Sequence, residues 1–154
     1  HMNDRLSALP TVLIVDDNED DYTAIKRSFQ KVQLPNPVFW CKSGQDALDY
    51  LRNEGAYKDA AKHEQPGLIL LDLNMPGIDG HGVLQILKAD PEFKKIPVII
   101  LTTSGNEHDI TASFDEGANS YVQKPVTFEE LLKAIKGLKE YWFDISMLPT
   151  KLAD

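Results

Sequence analysis

The 154-residue chain has a single cysteine, Cys41. One thiol cannot close an internal disulfide, so a disulfide-held scaffold is excluded and a reducing compartment such as the cytoplasm is expected. Cys41 ends the apolar run Val38-Phe39-Trp40-Cys41, and reads as a small core residue rather than a reactive thiol. No apolar stretch approaches the ~20 residues that span a bilayer, and no charged-apolar-small leader opens the chain. A soluble, cytoplasmic protein without a membrane partner is therefore expected. Runs of Lys and Arg are also missing. With 16 basic against 24 acidic residues and a net charge of -8, the chain lacks the clustered basic surface that phosphate backbones require, and no nucleic-acid partner is expected. Internal repeats, low-complexity segments and interdomain linkers are absent as well, and the length suits one domain around one core. His63, His81 and His108 have no metal-ligand spacing and are expected on the exposed surface. Gly77, Gly80 and Gly82 fit neither a dinucleotide fingerprint nor a phosphate loop, and read as turn residues.

What the sequence does contain is a short apolar run that stops at a carboxylate. Leu68-Ile-Leu-Leu-Asp72 lies between Pro66-Gly67 and Pro76-Gly77, the pattern of a strand buried on both faces in a parallel sheet. Similar runs recur. Thr11 to Val15 leads into Asp16-Asp17, Val38 to Cys41 forms a second strand, Ile96 to Leu101 leads into Thr102-Thr103, and Ser120-Tyr121-Val122 precedes Lys124-Pro125.

Helical spacing fills the intervals. Asn18, Glu19, Asp20 and Asp21 open a first helix with Tyr22, Ile25, Phe29 and Val32 inward. Ser43 caps a second with Ala47, Leu48 and Leu51 inward. Val83, Leu84 and Leu87 mark a third, Ile110 and Phe114 the inner face of a fourth. Thr127 and Glu130 have capping-box spacing ahead of a fifth helix carrying Leu131, Leu132, Ile135 and Leu138. Asn53 to Gln65 reads as an exposed polar insertion. Five strands alternating with five helices predict a doubly wound α/β fold over residues 11–140, with right-handed crossovers. A polar arm at 1–10 precedes it, its His1-Met2 resembling a cloning remnant, and an apolar extension follows at 141–154.

Asp16, Asp17, Asp72, Thr102 and Lys124 then each stand at or just beyond the carboxyl end of a strand, where open α/β sheets bind ligands. Three carboxylates gathered there repel one another by a few kcal/mol per pair at an effective dielectric near 20. A hard divalent cation such as Mg²⁺, with oxygen ligands, is the natural compensation.

These segments resemble the response-regulator receiver domain (CheY-like). The resemblance rests on Val-Asp-Asp at 15–17, Leu-Asp-Leu-Asn-Met-Pro-Gly-Ile-Asp-Gly at 71–80, Pro-Val-Ile-Ile-Leu-Thr-Thr at 97–103 and Gly-Ala-Asn-Ser-Tyr-Val-Gln-Lys-Pro at 117–125. It implies a flavodoxin-like sheet in the order 2-1-3-4-5. It implies that Asp72 accepts a phosphoryl group from a phosphohistidine of a sensor histidine kinase. Asp17, Asp72 and the Asn74 carbonyl would bind Mg²⁺, with Asp16 acting through water. Lys124 and Thr102 would stabilise the transferred oxygens. Thr102 and Tyr121 match the family's switch pair, which acts on the face of the fourth helix, fifth strand and fifth helix. Asn74 and Ser104 would flank the route of attacking water, Thr103 would narrow access, and Lys124-Pro125 matches a usual cis peptide.

The Tyr-Trp-Phe run at 141–143 and the insertion at 53–65 look like stand-alone receivers paired with phytochrome-type kinases. With no output module after the fifth helix, the expected role is a single-domain signalling protein that catalyses only its own phosphorylation and dephosphorylation. The apolar tail is expected to pack back on its own domain or to meet a kinase or a homodimer mate; the switch face is the alternative surface for a homodimer. The rival reading is an aspartyl-phosphate hydrolase of small phosphate esters, although hydrolases of the haloacid dehalogenase type want Asp-x-Asp where this chain has Asp16-Asp17-Asn18. A flavin binder would want a Ser/Thr/Gly-rich loop after the first strand, which is lacking.

Overall fold

In a computed structural model, which describes residues 9–59 and 65–141, five short strands make one parallel sheet. They are β1 (Val12–Val15), β2 (Val38–Cys41), β3 (Leu68–Leu71), β4 (Val98–Thr102) and β5 (Ser120–Gln123), ordered β2-β1-β3-β4-β5. The helices are α1 (Glu19–Lys31), α2 (Gly44–Arg52), α3 (Gly80–Ala89), α4 (Glu107–Asp115) and α5 (Phe128–Leu138), with 3-10 turns at Gly55–Tyr57 and Phe93–Lys95. This is the doubly wound, flavodoxin-like α/β arrangement.

β1, β3 and β4 are buried along their whole length, because helices cover both faces and each strand is apolar on both. Val12, Ile14, Leu68, Leu70, Ile99 and Leu101 pack with Ile25 and Phe29 of α1 and Leu131 and Ile135 of α5. The alternate residues, among them Leu13, Val15, Ile69, Leu71 and Ile100, pack with Leu48 of α2 and Val83, Leu84 and Leu87 of α3. Cys41 is fully buried in the second cluster, and burial pushes its thiol pKa up.

Every helix starts on a side-chain cap. Asn18, Ser43, Asp79, Asn106 and Thr127 accept from the backbone N–H groups of Asp21, Asp46, Gly82, His108 and Glu130 at 2.7–3.2 Å. Each such bond is worth about 1 kcal/mol, and together they fix where the chain leaves the sheet rim. Register does the rest: Val15 stands opposite Leu71, Leu71 opposite Ile100, and Thr102 opposite Gln123.

Several sequence expectations need correction. β4 begins at Val98, because Phe93–Lys95 closes a 3-10 turn that brings Ile96 into the core as a loop residue. Phe114 is 49% exposed, and it is Ser113 that α4 buries. The segment after Asn53 is not wholly exposed: Tyr57 packs edge-on to Phe39 and Tyr50, and its hydroxyl donates to Asp46 at 2.9 Å. Gly80 and Gly82 are helical, and of the three glycines only Gly77, at φ +75°, needs a left-handed turn. The arm at 1–8, residues 60–64 including His63, and the extension from Trp142 onward lie outside the described residues.

Candidate functional site

The rim at the carboxyl ends of β1 and β3 is built by the sheet ladder running one residue past each strand. Asp16 N–H donates to the Cys41 carbonyl at 3.1 Å and Asp72 N–H to the Val15 carbonyl at 3.0 Å. Both aspartates are buried, at 2% and 5% exposure, while Asp17 is exposed. One carboxylate oxygen from each of Asp16, Asp17 and Asp72 lies within 4.8 Å of the other two. Three hard oxygen donors at that spacing fit a small divalent cation with water completing its shell.

Backbone contacts hold these carboxylates in place. Asn18 N–H donates to Asp16 Oδ1 at 2.9 Å, and Asn74 N–H to Asp72 Oδ1 at 3.3 Å. The indole of Trp40, stacked on Tyr22 with centroids 4.6 Å apart, donates from Nε1 to the Asp16 carbonyl at 2.7 Å. Gly80 has no room for a side chain: a Cβ there would collide with the Asp72 carbonyl oxygen and come within 2.6 Å of the Leu73 Cα.

Lys124 reaches the cluster from beyond β5. Its backbone N–H donates to the Thr102 carbonyl at 2.6 Å, and its Nζ lies 2.8 Å from Asp16 Oδ2, 2.8 Å from Asp21 Oδ2 and 3.4 Å from Asp72 Oδ2. It does so through a trans Lys124–Pro125 peptide, in contrast to the cis geometry that the resemblance implies. Burial raises the Asp16 pKa, opposed by Lys124 and the Asn18 N–H. Burial alone would lower the Lys124 pKa, but the carboxylates of Asp16, Asp21 and Asp72 raise it. Thr102 is fully buried and accepts from Asn74 Nδ2 at 3.4 Å. Tyr121 is half-buried, its hydroxyl donating to the Ser104 carbonyl at 2.8 Å. Thr103 is exposed.

Asp16, Asp17, Asp72, Asn74, Thr102 and Lys124 are therefore gathered at one rim, with Tyr121 tied to the Ser104 segment beside it. Sequence reasoning missed Asp21, taken only as a helix-dipole acid. The signal was its place in the first turn of α1, whose cap at Asn18 directly follows Asp16 and Asp17. His81, expected on the open surface, is half-buried between Asp109 and Glu116. Beside Lys124 opens a groove of about 170 Å³ lined by Ala24, Ile25, Leu101, Val126, Phe128 and Leu131 among others. Among the described residues, no helix is long and apolar enough to cross a membrane.

Comparison with known proteins agrees with this architecture. The family profile described as "Response regulator receiver domain" matches residues 12–136. Response regulator Rcp1 of Synechocystis sp. is 32% identical over 148 residues, covering 96% of this chain and 99% of that protein. The crystal structure of the phosphorylated cyanobacterial phytochrome response regulator RcpA superposes with a TM-score of 0.83 at 39% identity, covering 92% of this chain and 99% of that one. The Mn²⁺-bound form of Rcp1 superposes at 0.82 and 33% identity, covering 91% and 99%. A profile spanning most of the chain, a relative matched end to end and a shared fold lead to one conclusion: the chain belongs to the response-regulator receiver family of two-component signalling.

Proposed function

We propose that Asp72 is the phosphoryl acceptor, taking phosphate from a phosphohistidine of a sensor histidine kinase. The observation that carries this reading is the setting of Asp72: a buried carboxylate at a strand end, grouped with Asp16 and Asp17 and 3.4 Å from the Lys124 ammonium. A carboxylate oxygen of Asp72 attacks phosphorus, the P–N bond to the histidine breaks, and an acyl phosphate forms. Asp17, Asp72 and the Asn74 carbonyl would hold Mg²⁺, with Asp16 assisting through water. When bound, the cation offsets charge on the acceptor and on the transferred oxygens, the main demand of phosphoryl transfer.

Lys124 supplies the remaining positive charge, and the pull of Asp16 and Asp21 keeps its Nζ at the rim instead of in solvent. The Thr102 hydroxyl, now shared with Asn74, turns to the phosphoryl group. Tyr121, tied to Ser104, relays the change to the face formed by α4, β5 and α5. Support for a phytochrome-type kinase as donor comes from RcpA, described as a phytochrome response regulator. Support for a hard divalent ion comes from the Mn²⁺-bound form of Rcp1.

Acetyl phosphate with Mg²⁺ tests the assignment. The wild type takes up about one phosphoryl group per chain, and Asp72→Ala takes up none. Strong labelling of that variant refutes the acceptor role, and multiple-turnover release of phosphate from small phosphate esters would instead favour a hydrolase.

A further inference from the structure

Between α3 and α4, away from the acidic rim, His81 is held by two carboxylates at once. Its Nδ1 lies 2.6 Å from Glu116 Oε1 and its Nε2 3.1 Å from Asp109 Oδ1. The imidazole side chain is 22% exposed and that of Glu116 15%. A neutral imidazole has one N–H and one lone pair. It can donate to only one of these carboxylates and must present a lone pair to the other. Both contacts are favourable only when the ring is an imidazolium, so the geometry itself selects the charged form.

The contacts extend on each side. Asp109 Oδ2 accepts from the Ser104 hydroxyl at 2.7 Å, and Glu116 Oε2 from Gln85 Nε2 at 2.7 Å. The Ser104 carbonyl accepts the Tyr121 hydroxyl at 2.8 Å. One proton thus joins the start of α3, both ends of α4, the segment after β4 and the aromatic ring of β5.

The other charged groups nearby do not replace it. Asp79 is engaged as the cap of α3, and Lys88 turns its Nζ to the carbonyls of Lys94 and Ile96. His108, on α4, adds only a further positive field at Asp109. Burial works against a charged His81, but its hydrogen bonds and charge attraction with Glu116 and Asp109 outweigh this and raise its pKa. The Ser104 hydroxyl and His81 hold the Asp109 carboxyl below its usual range.

We propose that His81 is a proton-operated latch, which when charged pins α4 and the Ser104 segment to α3, and when neutral lets go of one carboxylate and frees the α4 face. The sign follows from the raised histidine pKa. The latch is complete below the ordinary histidine value of about 6.5 and weakens as pH rises through the raised one. The latch stands apart from the phosphoryl chemistry; only its effect on Tyr121 as a switch rests on the reading above.

Proton-carbon NMR of the histidine rings, on the full chain in EDTA and without a phosphodonor, tests the proposal directly. His81 is expected to titrate above the ordinary histidine value, and the amide signals of Ser104, Asp109 and Tyr121 to shift with the same midpoint. Glu116→Gln and Asp109→Asn should each lower that midpoint, and His81→Gln should remove the shared titration from α4. A His81 midpoint at or below the ordinary value, or α4 amides indifferent to it, overturns the latch. The wild type with the two carboxylate variants decides the matter even if His81→Gln does not fold. Acetyl phosphate labelling of the same proteins, returned to excess Mg²⁺, keeps the two ideas separate: intact titration without labelling sinks the acceptor role and leaves the latch in place.

Discussion

Replacing Lys124 with Met keeps most of the side chain's length and removes its charge, which isolates what that charge does. Lys124 is 12% exposed, Asp16 3% and Asp72 7% by side chain, so the contacts lie well out of solvent. Asp21, at 41%, is screened by solvent and adds little. Removing one partner of a buried ion pair costs about 3–5 kcal/mol, because the other charge stays buried without compensation. Taking the lower figure, Lys124→Met should lose about 3 kcal/mol at pH 7 in EDTA. For a domain of this size that is a fall in Tm of about 6–12 °C.

The loss should also depend on pH. Burial already raises the Asp16 pKa, and Lys124 is the first of the groups opposing it. Without Lys124 the folded-state pKa climbs further. An acid whose pKa is higher folded than unfolded costs stability as pH rises through that interval, and the cost is complete above the folded value. The deficit should therefore be largest at neutral pH and shrink in acid as Asp16 takes up its proton. Mg²⁺ at a hundred times its Kd should return about 2.7 kcal/mol. Thermal unfolding followed by circular dichroism at several pH values, with and without Mg²⁺, measures all three effects. A variant that melts within a degree of wild type at pH 7, or whose deficit is the same at every pH, would show that Lys124 is not compensating buried carboxylates.

Two further substitutions probe the walls of the site. Gly80→Ala pushes a methyl group against the backbone of Asp72 and Leu73; overpacking of this kind costs about 1–3 kcal/mol, and denaturant unfolding should show a loss of about 2 kcal/mol together with slower acetyl phosphate labelling. Equal stability and equal labelling would mean that the close approach there is unimportant. Trp40→Phe keeps a ring on Tyr22 but removes the hydrogen bond to the Asp16 carbonyl. About 1 kcal/mol should be lost, and Mn²⁺ affinity, read by calorimetry, should weaken; unchanged affinity would separate the indole from the acidic turn.

Much of the fold could be read from the sequence because local signals agreed with one another. Apolar runs of strand length ended at turn residues, and Ser43 and Thr127 stood where caps were needed. The convergence of Asp16, Asp17, Asp72, Thr102 and Lys124 followed from strand ends alone, since a parallel sheet sends all its carboxyl ends to one edge. The strand order did not follow from the residues and was carried by the family resemblance.

What failed was tertiary. Ile110 and Phe114 have the spacing of an inner stripe, yet α4 presents Ser113 to the core and leaves Phe114 half in solvent. Which face of α4 turns inward is a packing choice that periodicity does not encode. His81, Asp109 and Glu116 meet only because α3 and α4 are neighbours across crossovers, so no sequence spacing announces the contact. The bond from Tyr57 to Asp46 likewise joins an apparently polar insertion to the α2 start.

The uniform apolarity of β1 and β3 has a consequence for how the chain finds its alignment. With oily residues on both surfaces, sliding one of these strands past its neighbour by a residue would forfeit little hydrophobic contact, so greasiness alone leaves the alignment underdetermined. The charges at the strand ends act as stops. Sliding β1 or β3 inward would drag Asp16 or Asp72 between the helical layers, where an unpaired charge is prohibitively expensive. The same acids that gather the reactive oxygens thus serve as a ruler for assembly, and trading them for leucines would yield a tougher sheet with a less certain ladder.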